Sequence, residues 1–552
     1  MIKSPFLETS RLATALPYLT LMLWVLPLLL FNSGQQSLMA HDEGYYAQQA
    51  RWIVESGDWI TPQWWGDAVY DRPIGIQWLM ALSYTLFGIN EGTARLPSLI
   101  ACILGTLLTY KIGCQLLNQR IAWLGTAILS VTPLWIQYGR LATQDATLVC
   151  LELLGIWALL QTETSKKHRL LWGVLAGSMA GLGFLVKGFM VCLPAIALLP
   201  YLVLQHRRHH HLFNPGLYLG LVLGAIPPVG WLWVSSWRYG AMPFQELVGK
   251  LFLLGTHQWK GTGPLYYLWN IPANAFPWPL FALIGLGLAL RHADINRLVR
   301  ASGHVLLLLG YPVILFVELS LFKTRTQYYP LQLLPFMALL AGVALDWLVS
   351  LYANRTSPRR WLSALLTYTF GGLAVLLILA GIAVTVGIPG VELTPEVQHY
   401  GAIAFGLGLG WLVLPIVWIG RHWYGKPAFS ARHWLAGWLL GPWLALATLG
   451  ITGVFGNHNP DVKAFLQQPA IASILQTHPI DFVSKNLPDD DAEKTFVLLS
   501  FYTPDLGKQV SQVTDLPTSR YAWVGPQHPL TPSTHYRRLG SIRGWQLIQA
   551  SR

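Results

Sequence analysis

Long apolar runs separated by short polar stretches dominate the first 455 residues. Runs of roughly 17–25 residues, each enough for a hydrocarbon core of ~30 Å, fall at about 14–32, 93–116, 121–138, 145–161, 170–186, 188–205, 214–236, 272–290, 302–322, 329–351, 361–386, 399–420 and 434–455. The pattern predicts an α-helical polytopic membrane protein with about thirteen transmembrane helices. The runs 170–186 and 188–205 touch at Lys187-Gly188, where a single kinked hairpin is an alternative. The first run is too long for a signal peptide and Leu38-Met39-Ala40 is a poor cleavage site, so an uncleaved anchor is expected.

From Asn457 the pattern changes and the chain turns polar. Segment 460–477 has helical spacing, whereas 496–502, 520–525 and 543–549 have the short apolar character of strands. The expected organisation is a transmembrane domain, 1–455, with a first outer loop at 33–92, followed by a small extracytoplasmic α/β domain, 456–552. That domain carries no catalytic constellation, and a lid or packing role is the plain reading.

Composition agrees with the class: 53% of 552 residues are hydrophobic, and 26 Trp with 22 Tyr suit interfacial aromatic belts. Charge then orients the helices. With Lys3 and Arg11 in the cytoplasm, the cytoplasmic loops hold Lys166-Lys167-His168-Arg169, Arg207-Arg208, Arg291/Arg297/Arg300, Arg355/Arg359/Arg360 and Arg421/Lys426/Arg432. An odd number of spans puts the C-terminus outside. The net charge of +12 therefore reflects topology rather than nucleic-acid binding. Cys102, Cys114, Cys150 and Cys192 all lie within spans, which excludes a disulfide framework or thiolate metal site. A bacterial inner membrane facing the periplasm needs the fewest assumptions, with an organelle membrane facing its lumen as the alternative.

Cations on the outer side have no topological reason to be there. They are Arg51, Arg72, Arg140, Lys187, Arg238, Lys250, Lys260, Lys323 and Arg325. A ring of cations at the outer boundary, with Tyr328-Tyr329 and Trp278, is what an anionic lipid headgroup requires. Snorkelling without a ligand is the alternative for any one of them. Carboxylates gather at the same mouths. Asp42 and Glu43 open a helix expected over 42–55; adjacent residues on a helix face different ways, so at most one points at a substrate. Asp42 has an N-cap role as its alternative, and Asp145 can simply neutralise Arg140. Glu152 and Glu318 lie within spans and read as buried polar partners. Asp71 and His257 supply half of a divalent-metal site, too little to assert one. His209-His210-His211 reads as a solvated loop on the other side.

The stretch Asp42-Glu43-Gly44-Tyr45-Tyr46-Ala47, then Ser56-Gly57-Asp58-Trp59, Tyr70-Asp71-Arg72-Pro73, Leu86-Phe87-Gly88 and Ala94-Arg95-Leu96-Pro97-Ser98, resembles the first outer loop of one enzyme group. That group comprises the aminoarabinose–lipid A transferases and protein O-mannosyltransferases, GT-C-type glycosyltransferases that use polyprenyl-phosphate sugars. The resemblance continues through Arg140, Asp145, the segment Gly181 to Gly188, His257, Tyr266-Tyr267, Pro277-Trp278 and Lys323 to Pro330, covering about residues 10–350.

The resemblance implies a GT-C-like fold and a membrane glycosyltransferase that moves a sugar from a polyprenyl-phosphate donor to an extracytoplasmic lipid, glycan or protein hydroxyl. The essential first-loop acid of such enzymes falls on Asp42, with Glu43 beside it, and the second-loop acid on Asp145. The acidic-Lys-Pro element that contacts lipid phosphate appears as Asp71-Arg72-Pro73, an Arg fork in place of a Lys point charge. Tyr328 matches a tyrosine near the same phosphate. Lys260 is the nearest candidate for the cation after the loop His. With Lys187, Lys323 and Arg325, these form the expected phosphate-binding set. The chemistry calls for no nucleotide or other cofactor, a divalent metal remaining the alternative, and one displacement predicts inversion at the sugar carbon.

A polysaccharide ligase or polymerase using the same lipid type is the alternative enzyme. A secondary transporter fits less well, because transporters place ionisable groups near the midplane of repeated, broken helices. Here the acids cluster at the outer boundary.

Overall fold

The computed structural model describes residues 11–258, 261–387, 394–485, 487–528, 530 and 536–550. Lys260 lies outside the described residues. Among the described residues, eight helical stretches are individually long and apolar enough to cross a membrane, and up to eleven if each of three bent helix pairs is one span. The longest stretch, Arg169–Leu204, is two passes. Arg169 donates to the carbonyls of His209 and His210, just beyond helix Cys192–Leu204, so the chain has returned to the end where it started. The reversal falls at Gly188, whose φ of +59° favours glycine. With this hairpin and the shorter apolar helix Ala15–Leu30, the count approaches the thirteen runs of the sequence. One bend of 68° separates Gln119–Leu129 from Pro133–Gly139, where a proline ring cannot continue the helix.

Glycine sets how closely two of these helices meet. Gly177 and Gly181 of helix Arg169–Lys187 face Gly220 and Gly224 of Pro215–Tyr239. A Cβ at Gly177 would stand 2.1 Å from the Leu217 carbonyl oxygen, so the contact excludes any side chain. This packing seats the helix that ends in Lys187.

The first loop starts with a turn, Ala40–Gly44, then helix Tyr45–Ser56 and a small hairpin of β1 (Gln63–Trp64) and β2 (Asp67–Ala68). Helix Gly75–Phe87 leads into the span Glu91–Leu116. The helix expected over 42–55 begins later, because His41 and Asp42 have non-helical backbone. Gly44 is its N-cap, so Asp42 does not cap it.

The C-terminal unit has helices Pro460–Leu466 and Pro469–Thr477 and strands β3 (Ile480–Val483), β4 (Leu506–Val510), β5 (Tyr521–Val524), β6 (Tyr536–Ile542) and β7 (Trp545–Ala550). The sheet order is β4-β3-β5-β7-β6; β3 is parallel to β4 and β5, and β7 is antiparallel to β5 and β6. Residues 496–502, expected as a strand, belong to helix Asp490–Tyr502. The Asp489 carboxylate accepts the Ala492 N–H at 2.8 Å, and Asp490, Asp491 and Glu493 suit the positive end of the helix dipole. The run looked like a strand because the helix is covered on several sides. Phe496 stacks on Trp65 of the outer loop and on Trp545 of the sheet.

Candidate active site

The turn at Ala40–Gly44 points two adjacent acids in opposite directions. Glu43 is fully buried and its carboxylate is closed by four donors. Arg95 Nε and Nη2 lie at 2.8 and 3.0 Å, the Met39 N–H at 2.8 Å and the Ala142 N–H at 2.7 Å. Burial alone would raise the Glu43 carboxyl, but Arg95 and the two backbone N–H groups hold it below the usual carboxylate range. Arg95 also donates to the carbonyls of Ser33, Gln36, Ser37 and Gly456. Glu43 therefore fastens the loop, and Asp42 is left facing a cavity of about 400 Å³.

Asp71, Arg72, Lys187, Lys250 and Tyr328 share that cavity with Asp42. Arg72 is the hub. Its Nη1 donates to the Tyr46 hydroxyl at 2.7 Å and stands 3.7 Å from Asp42 Oδ1, while its Nε is 3.4 Å from Asp71 Oδ2. Lys250 Nζ approaches the same Asp71 oxygen at 3.7 Å. Lys187 is ion-paired with Asp145, and its ammonium lies 4.9 Å from the centroid of the Tyr328 ring. Burial pushes the phenols of Tyr46 and Tyr328 up, which keeps both protonated and able to donate. Asp145 thus belongs to Lys187, not to Arg140. Arg140 instead donates to the carbonyls of Leu28 and Phe31.

Several other expected residues lie elsewhere. Lys323 is exposed and off the cavity wall, although Thr324 and Thr326 line it. Arg325 is buried, donating to the carbonyls of Ser320 and Thr262 at 2.7 and 2.8 Å, and closes its own loop. Arg51 likewise donates to the carbonyls of Phe501 and Thr503. The His257 carbonyl accepts the Thr324 hydroxyl at 2.8 Å, and His257 is not on the cavity wall. Among the described residues no three His, Cys, Asp or Glu side chains are grouped to hold a metal. Asp71 is engaged by two cations, so the residues do not fit a metal between Asp71 and His257. The expected solvated loop at His209-His210-His211 is also revised. His209 and His211 are buried, with His211 against Thr162 and Tyr201.

Lys250 is one of the cations in the expected ring but not in the expected phosphate-binding set, and Tyr46 enters only through the first-loop motif. Lys250 sits on helix Met242–Thr256, which forms one wall through Leu247, Leu251 and Leu254. Their spacing of three and four residues was the available signal.

A family model described as dolichyl-phosphate-mannose-protein mannosyltransferase matches residues 71–233. An undecaprenyl phosphate-α-4-amino-4-deoxy-L-arabinose arabinosyl transferase 2 of Pseudomonas fluorescens is 27% identical, over 80% of this chain and 74% of that relative. Transferase 1 of the same organism is 29% identical, over 58% of this chain and 59% of its own length. The crystal structure of ArnT from Cupriavidus metallidurans bound to undecaprenyl phosphate superposes with a TM-score of 0.70 at 20% identity, covering 98% of each chain. This chain resembles the aminoarabinose transferases and has the GT-C fold. A more distant likeness, TM-score 0.51 at 12% identity, links 93% of it to 62% of an Archaeoglobus fulgidus oligosaccharyltransferase.

Proposed function

We propose that the protein is a glycosyltransferase that moves a sugar from a polyprenyl-phosphate donor to a hydroxyl on an extracytoplasmic lipid, glycan or protein. The observation that carries this reading is the single cavity in which Asp42 faces Arg72, Lys187 and Lys250. Apolar residues Ile196, Leu251 and Leu254 on the same wall offer a path for a hydrocarbon tail. The positive-inside pattern supports a cytoplasmic N-terminus with the cavity outside, and the bacterial source of the similar transferases supports an inner-membrane location.

The mechanism follows from the charges. The acceptor oxygen attacks the anomeric carbon, the carbon–oxygen bond to phosphate breaks, and the leaving phosphate keeps the electron pair. Arg72 and Lys250, already oriented by Asp71, stabilise that growing negative charge, with Tyr46 and Tyr328 as neutral donors; a group of this kind contributes about 10²–10³ in rate. Asp42, half-exposed beside Arg72, takes the acceptor's proton, worth about 10²–10⁴. Lys187, neutralised by Asp145, holds phosphate without adding a bare charge to the site. The oxocarbenium-like transition state and single displacement lead to inversion.

The direct test is Asp42→Asn in a transfer assay with polyprenyl-phosphate sugar. Transfer is expected to fall by at least about 100-fold while binding of polyprenyl phosphate persists. Undiminished transfer would remove Asp42 from the chemistry, and retention of anomeric configuration would exclude the single displacement.

A further inference from the structure

A second, larger cavity of about 1000 Å³ lies far from Asp42. The span Glu91–Leu116 joins the two regions: Arg95 in its first turn holds the Asp42 turn, and Tyr110 near its other end faces the second cavity. At 1.5 Å per residue Arg95 and Tyr110 are about 22 Å apart, and the rim residues Gln119 and Arg120 follow the far end of that helix, so the cavity lies at the opposite edge of the bundle.

Its construction is that of an amphiphile site. Tyr110, Leu124 and Val349 are buried and form an apolar floor. Gln119, Arg120, Asn354 and Arg432 are exposed at its rim. Several arginines at this end are engaged with backbone: Arg169, Arg208, Arg355 and Arg421 all donate to carbonyls. The two rim arginines differ. Arg120 stands 2.6 Å from Asp346 at its Nε, and Arg432 has no hydrogen-bond or ion-pair partner among the described residues. Helices Gln119–Leu129 and Ala431–Thr452 both begin at the rim, adding the positive ends of their dipoles.

We infer that this cavity binds an anionic phospholipid of the leaflet opposite the Asp42 cavity, its phosphate between Arg120 and Arg432 and an acyl chain over Tyr110, Leu124 and Val349. The apolar floor selects a lipid over a soluble anion, and the exposed guanidinium groups of Arg432 and of Arg120, the latter held at one edge by Asp346, select an anionic headgroup. Asp346 sets the balance by holding one edge of Arg120.

The test is native mass spectrometry and thermal unfolding of the full chain in detergent, with phosphatidylglycerol or phosphatidylcholine added. Phosphatidylglycerol is expected to be retained preferentially and to raise the unfolding temperature. The double variant Arg120→Ala/Arg432→Ala should lose that retention by about tenfold or more. Asp346→Asn, which frees Arg120, should increase it, an opposite sign that a folding defect does not mimic. Equal retention of the two lipids, or retention unchanged in both variants, overturns the inference. Equal stabilisation by glycerol phosphate overturns it in favour of a soluble anion site.

Discussion

The Glu43 carboxylate and the Arg95 guanidinium form a two-point ion pair at 2.8 and 3.0 Å, with both side chains almost wholly out of solvent. The pair ties the first outer loop to the start of a span and, through Gly456, to the entry of the C-terminal unit. It fixes the backbone on which Asp42 is mounted, one residue away. Buried pairs of this kind add little net stability compared with apolar packing, but removing one partner strands the other charge.

Glu43→Gln should therefore cost about 3–5 kcal/mol, because Arg95 stays buried without a counter-charge. Thermal unfolding should report a clear loss relative to the parent, with reduced transfer as a consequence of the displaced turn. A variant as stable as the parent would contradict this view of the pair.

The same carboxyl predicts a pH dependence. Its folded value is held below that of the unfolded chain, about 4.3 for a free glutamate. Its stabilisation is thus complete above that value and disappears as pH falls through the lower, folded value. The stability gap between parent and Glu43→Gln should be constant near neutrality and shrink in acid. Unfolding curves across pH measure it, and a gap that widens in acid would reverse the sign.

Arg72 and Lys323 should behave differently, although both are outer cations. Arg72→Ala should lower kcat/KM by about 100-fold or more, since it removes a charge-assisted donor where the leaving phosphate develops. Arg72→Lys should recover part of this, lacking the planar fork that now spans Tyr46 and Asp71. Lys323→Ala, exposed and off the cavity, should change kcat/KM by less than about threefold, as exposed surface charges do. Equal losses for the two would move the phosphate site toward Lys323.

Lys187 and Asp145 should be strongly coupled. Lys187→Met leaves Asp145 buried and unpaired, and Asp145→Asn leaves Lys187 likewise. Each single change should cost more than the double change does beyond either one, with a coupling of about 1–3 kcal/mol in a double-mutant cycle of stability. Additive effects would mean the two side chains act independently.

Arg51→Ala should loosen the C-terminal unit from the outer loop. Its guanidinium accounts for the carbonyls that follow helix Asp490–Tyr502, including those of Thr503 and Pro504. Limited proteolysis should cut after residue 456 faster than in the parent, while the membrane helices remain intact. Unchanged cleavage would leave Arg51 without a role in docking.

The reading from residue pattern alone was strongest where structure is local. Apolar run length follows from hydrocarbon thickness, so the spans and the break at Gly188 were visible in the chain itself. The helix at 496–502 was misread because burial on several faces erases amphipathic spacing, and the deciding signal, Asp489 as N-cap, lies outside the run. Asp42 and Arg72 were recognisable from the motif they share. Which outer cations face the cavity was not.

The sequence by itself determined a polytopic helical protein, its polar C-terminal unit and the acidic first-loop motif, because hydropathy and motif spacing act over a few turns of chain. Only the tertiary structure decided that Asp42 faces the cavity while Glu43 is closed off, and that Arg51, Arg140 and Arg325 satisfy carbonyls while Arg72, Lys187 and Lys250 line the site. The physical reason is that an unpaired buried carbonyl and a phosphate both attract a guanidinium. Which of them it meets depends on chain segments that fold next to it from hundreds of residues away.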